Sequence, residues 1–545
     1  MSGAGRCPVP FLYLGGIMMY LLHDQTRDHE AGHDPNAVYQ ADPWVALDRF
    51  LILGTEGGSY YASEHDLTRQ AVTNVQTCLR LDGVRTVQRI RQISQAGRAP
   101  KNDPALYALA LAMSDQSVVT RSAAAAALPD VVRTGTHLFA FLAYAKTMRG
   151  WGPMLRRAIA DWYTRKPSND LAYQMIKYRQ RHGYTHADAL RLAHPTPPSE
   201  EHNRLFALAT GKPTNQQVAR PDMMTGYMQL ATHELTPHEA ARVILAYGLP
   251  WEAVPSDLLK YPEVWEALLP SMPINAMIRN LATMTRLGVL APMTDTTAHV
   301  VARLTDQAKL NAARIHPLQV LTALQTYKLG RGARGQHTWM PVGQIVDALD
   351  AAFYLAFENA PRTGKRFMLA LDISGSMAFD TIGGLAGVTP RDASAAMALV
   401  TMAREYPVHV VGFSHDLIPL DISPRQRLDD VIQKISGLTF GSTDCSAPML
   451  YALDNNIAVD VFVVYTDSET NSHRMPPAQA LRLYREQMGI NAKLVVVGMV
   501  ANEISIADPN DADMLDIVGF DAAAPGLIAD FASGVFELPL TRPVQ

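Results

Sequence analysis

Cysteine is nearly missing from this 545-residue chain, which has only Cys7, Cys78 and Cys445, too few and too scattered for a disulfide framework or a zinc site. A reducing cytoplasm is the compartment expected. Charged residues are also sparse, at 18% against 48% apolar, a balance that excludes a disordered polyelectrolyte and describes a soluble globular protein. Long apolar runs are lacking too. The longest, Pro8 to Leu22, falls short of the roughly 20 residues that span a bilayer. It could pass for a signal h-region, but only Arg6 precedes it and His23-Asp24-Gln25 stands where small cleavage-site residues belong. An N-terminal extension, or a strand-like tail packed on the body, is the expectation. No G-x-S-x-G nucleophile elbow occurs, and no consensus repeat recurs at fixed period.

Charge is unevenly shared. Residues 361–545 hold 13 Lys and Arg against 22 Asp and Glu, a net of −9, which leaves 35 against 30, a net of +5, for residues 1–360. Any polyanion site in the first part therefore depends on local clustering. Such a cluster lies between Arg149 and Arg191, where nine cations (Arg149, Arg156, Arg157, Arg165, Lys166, Lys177, Arg179, Arg181, Arg191) face Asp161, Asp170 and Asp188. Lys177, Arg179 and Arg181 surround Tyr178 and Gln180, a combination able to neutralise phosphates and to hydrogen-bond nucleic acid. An ordinary solvated helix face explains the composition equally well. Trp162 and Tyr163 read as core more readily than as base-stacking residues.

From about Pro43 to Phe357 apolar residues recur at three- and four-residue spacing between Pro and Gly breaks, as in Pro104–Met113, Leu138–Met148, Leu155–Tyr163, Pro237–Tyr247, Asn275–Leu287 and Leu318–Tyr327. Many short helices over some 300 residues suggest a stacked array. After Pro361 and Gly364 the pattern changes to alternating strands and helices: strands 367–371, 408–413, 459–465 and 493–499, with helices 390–405, 427–435, 447–455 and 477–487. That alternation predicts a parallel sheet covered on both faces, with further elements after Asp513.

The first of these strands ends in Asp372, Ser374 and Ser376. The C-terminal edge of a parallel sheet is where ligands bind, and a carboxylate with two hydroxyls is a hard-oxygen set suited to Mg²⁺. Thr443 in a later loop, and Asp467 after the strand 461–465, add oxygens in the same order. Together they match the metal-ion-dependent adhesion site of von Willebrand A domains. The resemblance implies that Asp372, Ser374 and Ser376 hold a divalent cation directly or through water, that Thr443 and Asp467 complete the shell, and that an acidic protein ligand takes the last position. A hydrolytic triad of Ser374 and Asp467 with His415 or His473 is the enzymatic alternative, and Cys445 reads as a small buried residue.

Several longer stretches carry a second resemblance: DRFLILGTEGGSYY (48–61), LRRAIADWY (155–163), KYRQRHGYTHADALRLAH (177–194), SMPINAMIRNL (271–281) and RIHPLQVLTALQTYKLGRG (314–332). They are similar to the TROVE module, and a TROVE module followed by an A domain resembles the Ro ribonucleoprotein family in its bacterial form. The implied architecture is multidomain: an N-terminal extension over 1–42, an all-α HEAT-like helical ring over 43–358, and a doubly wound, Rossmann-like α/β A domain over 359–545. The implied function is non-enzymatic. Small noncoding Y-like RNA would bind the outer basic surface through Lys177, Arg179, Gln180, Arg181 and His186, while single-stranded 3′ ends of misfolded RNA enter the central hole, in noncoding-RNA quality control with an exoribonuclease tethered through the RNA. Ala187 departs from the family pattern, which often has lysine after this histidine. A ring built within one chain needs no subunit symmetry, so a monomer is expected. The competing reading is a cation-dependent adhesion or assembly module on a helical scaffold.

Overall fold

The computed structural model describes residues 43–534 apart from 55–58, 62–68, 98, 213–221, 233, 333–336, 380–381, 383–386, 415, 439–442, 468–474, 500–505, 509–510 and 520–522. The apolar run 8–22, the extension over 1–42, Cys7, His415 and His473 lie outside the described residues. By their contacts the residues form two compact units. One gathers His65–Gln95 and Asn102–Gln217, the other Ala41–Glu64, Ala96–Lys101 and Val218–Gln545.

The first unit is helical, with Arg69–Ala96, Asp103–Ser114, Val118–Val131, Gly135–Met148, Pro153–Thr164, Ser168–Lys177, His186–Ala193 and Glu200–Ala209 as its helices. Local chemistry sets their starts. Ser117 and Thr134 accept hydrogen bonds from the N–H groups of Thr120 and His137, satisfying donors that a helix start leaves open. The helix Arg69–Ala96 breaks at Asp82, whose φ of −157° is non-helical and whose Oδ1 accepts the Arg85 N–H at 2.9 Å. Gly83 follows because a Cβ there would meet Thr120 Oγ1 at 2.1 Å. Several helices pack on the next but one, Asp103–Ser114 on Gly135–Met148, Val118–Val131 on Pro153–Thr164, Pro153–Thr164 on His186–Ala193 and Ser168–Lys177 on Glu200–Ala209, while Asp103–Ser114 also packs on its successor Val118–Val131. This is the stacking expected of an array. Trp162 and Tyr163 are fully buried, core residues as the sequence suggests, and Trp162 Nε1 donates to the Val132 carbonyl at 2.5 Å.

The second unit adds further helices, from Met223–Thr232 to Gly343–Leu355, and a seven-stranded sheet. Its strands are β1 (Ser59–Tyr61), β4 (Phe367–Asp372), β5 (Val408–Phe413), β6 (Leu417–Pro419), β7 (Val461–Thr466), β8 (Lys493–Gly498) and β9 (Met514–Val518), in the order β1-β9-β8-β7-β4-β5-β6. All pairs are parallel except β5 with β6. β4, β7, β8 and β9 are buried along their whole length, as the unbroken Val- and Leu-rich runs predict for a sheet covered on both faces. The predicted strands and helices of this part are present with ends shifted by a residue or two, and β6 and β1 join them unforeseen. β2 (Gln180–Arg181) and β3 (Tyr184–Thr185) form a separate hairpin in the first unit.

Candidate functional site

The basic segment of the first unit owes its shape to a tight turn. The helix Ser168–Lys177 ends at Tyr178, and β2 and β3 then pair across His182 and Gly183, both at positive φ (51° and 75°). Two successive positive φ angles make the mirror-image turn that matches strand twist. Thr185 then caps the helix His186–Ala193: its Oγ1 accepts the Asp188 N–H at 3.2 Å, while Asp188 Oδ2 accepts the Thr185 N–H at 2.9 Å. Asp188, the acid that follows the hairpin in sequence, is thus occupied by the cap. Arg179, Gln180 and Arg181 are exposed on this short two-stranded ledge. Lys177, half-buried, donates to the Tyr173 hydroxyl at 3.0 Å and lies over the Tyr173 and Tyr178 rings.

His186 departs from the other four. It is 4% exposed, bonds Tyr163 Oη through Nδ1 at 2.7 Å, and packs against Phe139, Trp162 and Tyr163. Burial pulls its pKa down to about 4, the carbonyls of Tyr178 and Gln174 only partly opposing the shift. The expected direct contact between His186 and RNA is therefore replaced by a core role. A neutral imidazole fixes the junction from which the hairpin springs. Ala187, where relatives often carry lysine, sits in the first turn of the same helix.

The second constellation lies at the C-terminal edge of three adjacent strands, β7, β4 and β5. Asp372 ends β4, and its Oδ1 accepts the Ser374 N–H at 2.8 Å. From the neighbouring strand Thr466 donates Oγ1–H to Asp372 Oδ2 at 2.8 Å, and Asp467 follows Thr466 directly. Ser374 and Ser376 hydroxyls lie 3.0 Å apart. Thr443 reaches this edge because the next residue, Asp444, donates its N–H to the Ser414 carbonyl just beyond β5, at 3.1 Å. The buried Arg391 donates to the Ser374 carbonyl at 3.2 Å. Thr466 and Arg391 were not foreseen as site residues. Thr466 was visible at the end of its strand, but only the pairing of β7 with β4 gives it a partner.

Asp372, Ser374, Thr443 and Asp467 are nearly inaccessible, at 1%, 4%, 2% and 2%. Burial raises the Asp372 carboxyl to about 6, and the charge of Asp467 adds to the effect beyond what the Ser374 and Thr466 bonds recover. Two buried carboxylates repelling each other beside a pair of hydroxyls suit a hard divalent cation, which neutralises the first and accepts the second. Among the described residues no cluster of three His, Cys, Asp or Glu side chains offers another metal centre.

Comparison with known proteins follows the same division. Residues 366–532 match the family model described as the Ro60 vWA domain, and residues 30–237 and 228–326 match the TROVE domain. A Deinococcus radiodurans protein named RNA-binding protein RO60 is 41% identical over 513 residues, covering 94% of this chain and 96% of its own. A Caenorhabditis elegans protein of the same name is 35% identical over 579 residues, covering 91% and 89%. The crystal structure of the Deinococcus radiodurans RO (RSR) protein superposes with a TM-score of 0.84 at 41% identity, covering 90% of this chain and all of that one.

Proposed function

Since the chain belongs to the Ro family of TROVE and von Willebrand A proteins, we propose that it is a Ro-type RNA-binding protein whose RNA contact surface includes the ledge of Lys177, Arg179, Gln180 and Arg181. The observation that carries the residue assignment is the exposure of Arg179, Gln180 and Arg181 on the hairpin, while Asp188, the acid that follows it in sequence, is held by a helix cap. RNA duplexes present phosphates and 2′-hydroxyls rather than readable major-groove edges, so a fixed basic ledge suits a small structured RNA of the Y type. Replacing Lys177, Arg179 and Arg181 together by Ala should weaken binding and lower the slope of log affinity against log salt by up to about 2.7, if each neutralises one duplex phosphate. Filter binding at several salt concentrations measures both. Wild-type affinity and slope in the triple variant would remove the ledge from the RNA site. Passage of single-stranded 3′ ends through a central hole, and cooperation with a tethered exoribonuclease, rest on the family resemblance alone.

The sheet-edge constellation belongs to the same reading as a divalent-cation site, with Mg²⁺ first among the candidates and an acidic protein ligand as its partner. Asp372, Ser374, Ser376 and Thr443 would supply oxygens, and Asp467 would act from the adjacent strand. The cation would supply positive charge to a pocket that concentrates negative charge. This reading assigns binding, and no catalysis, to the protein. Scarcity of cysteine favours a reducing cytoplasm, where Cys78 and Cys445 stay buried and outside any disulfide.

A further inference from the structure

A second concentration of positive charge occupies a cleft of about 250 Å³ in the first unit, lined by Arg121, Arg149 and Arg157 together with Gly152, Met154 and Leu155 among others. None of the hairpin residues lines it. Two of the three guanidiniums are held by neutral groups. Arg121 Nη1 donates to the carbonyls of Asp115 and Gln116 at 2.6 and 2.8 Å, and Arg149 Nη1 donates to the same Asp115 carbonyl at 3.1 Å. Two cations thus converge on one oxygen. Neither Asp nor Glu lines the cleft, and the closest acids in sequence are engaged elsewhere: Asp115 accepts the Ser117 N–H at 2.7 Å and Asp161 pairs with Arg165 at 3.2 Å. Among the described residues no salt bridge joins Arg121, Arg149 or Arg157 to a carboxylate.

We propose that this cleft receives the terminal phosphate monoester of a nucleotide, bound by Arg121, Arg149 and Arg157. Three guanidiniums without a carboxylate suit a dianion better than the single charge of an internal phosphodiester, and planar guanidinium donors match phosphate oxygens in pairs. The volume is just below the range of roughly 300–1,000 Å³ usual for small-molecule pockets, room for one nucleotide-sized group, and Met113, Met154 and Leu155 give its sugar or base an apolar wall. An auxiliary contribution comes from the helix Pro153–Thr164. Its N-cap, Gly152, has no side chain to accept the first N–H groups, so that end adds partial positive charge. A free nucleotide and the 5′ end of an RNA present the same chemistry.

The proposal stands apart from the hairpin reading, and its test keeps them separate. Uridine 5′-monophosphate is titrated into the full chain by calorimetry, and one oligoribonucleotide is compared with a 5′-phosphate and with a 5′-hydroxyl by fluorescence anisotropy. The variants are Arg157→Gln and Gly152→Asp. Gly152 has ordinary φ (−79°) and open space around a would-be Cβ, so aspartate there caps the helix and sets its own charge against the ligand. A thermal melt no lower than wild type confirms that this variant folds. Binding of the monophosphate that falls tenfold or more in both variants supports a free-nucleotide receptor. A tenfold advantage of the 5′-phosphate RNA that disappears in both variants supports an RNA-end receptor, and that advantage should survive the Lys177, Arg179, Arg181 triple substitution. Absence of monophosphate binding together with equal affinity for the two RNA ends overturns the proposal, as does unchanged binding in both variants.

Discussion

Acidification separates two roles for His186 because they predict opposite signs. If the imidazole met phosphate at the surface, protonation below its ordinary pKa of 6.5 would add a positive charge and tighten RNA binding. The structure buries it against Tyr163, Trp162 and Phe139 with its pKa at about 4. A depressed histidine pKa means that the unfolded chain takes the proton first, so its full contribution is present above 6.5 and is lost as pH falls from 6.5 towards 4. Between pH 7 and pH 5.5 the loss amounts to about 1.2 kcal/mol for His186, by integrating the difference in proton uptake over that interval. His137, also shifted to about 4 by burial and then by Arg133, adds at most about as much, because it is less deeply buried. Hydrogen exchange on peptides from 153–193, corrected for the intrinsic pH dependence of exchange, should show protection through unit opening fall roughly eightfold from His186 alone. The His186→Gln variant should recover that part of the drop. Equal protection at the two pH values, or an identical drop in His186→Gln, would refute the burial argument.

Three other outcomes test the remaining contacts. Asp372, raised to about 6 in the fold, favours its protonated form, so its contribution is intact below pH 3.8 and lost as pH rises through 6; at pH 7 without cation this costs on the order of 3 kcal/mol. Asp372→Asn should therefore be at least as stable as wild type in chelator, and Mg²⁺ should raise the melting temperature of wild type alone, as followed by differential scanning fluorimetry. Thr466→Val removes the 2.8 Å bond to Asp372 Oδ2 and should weaken Mg²⁺ affinity by roughly 10- to 150-fold, given about 1.5–3 kcal/mol for a bond to a charged group; calorimetry showing wild-type affinity would dissociate Thr466 from the site. Trp162→Phe leaves the Val132 carbonyl without its indole donor and should cost about 1–3 kcal/mol in urea unfolding of the first unit, with an unchanged midpoint ruling out that bond as a stabilising contact.

Much of this molecule could be read from its sequence where local and global signals agree. The run FMLALD is apolar throughout and becomes a strand buried on both faces, and oxygen-bearing residues after two such runs meet because their strands are neighbours. The misses share a cause. β1 has three residues in a glycine-rich stretch and gains its identity only from β9, more than 450 positions later. β2 and β3 have two residues each, too short for any period to show, and the signal that could have found them was His182-Gly183 at the turn. His186 stands among polar neighbours in the sequence, and the packing of two other helices over it, with Phe139 at 4.8 Å and Tyr163 at 5.8 Å between ring centroids, puts it inside. Thr466 and Arg391 act through residues on other elements, so no spacing rule reaches them.

The pairing of β1 with β9 bears on how the polypeptide can be made and divided. Among the described residues the first strand in the sequence waits for the last, with the helices from Arg69 to Ala209 synthesised in between. A fragment trimmed to the matched span 366–532 would expose the backbone edge of β9, the geometry that invites strand exchange between molecules. The helix Pro43–Leu53 is tied in as well, through Arg49 Nη2 to the Ala512 carbonyl at 2.6 Å. A dissection that respects this sheet must carry residues 41–64 along with the C-terminal part, as a tethered or co-expressed piece.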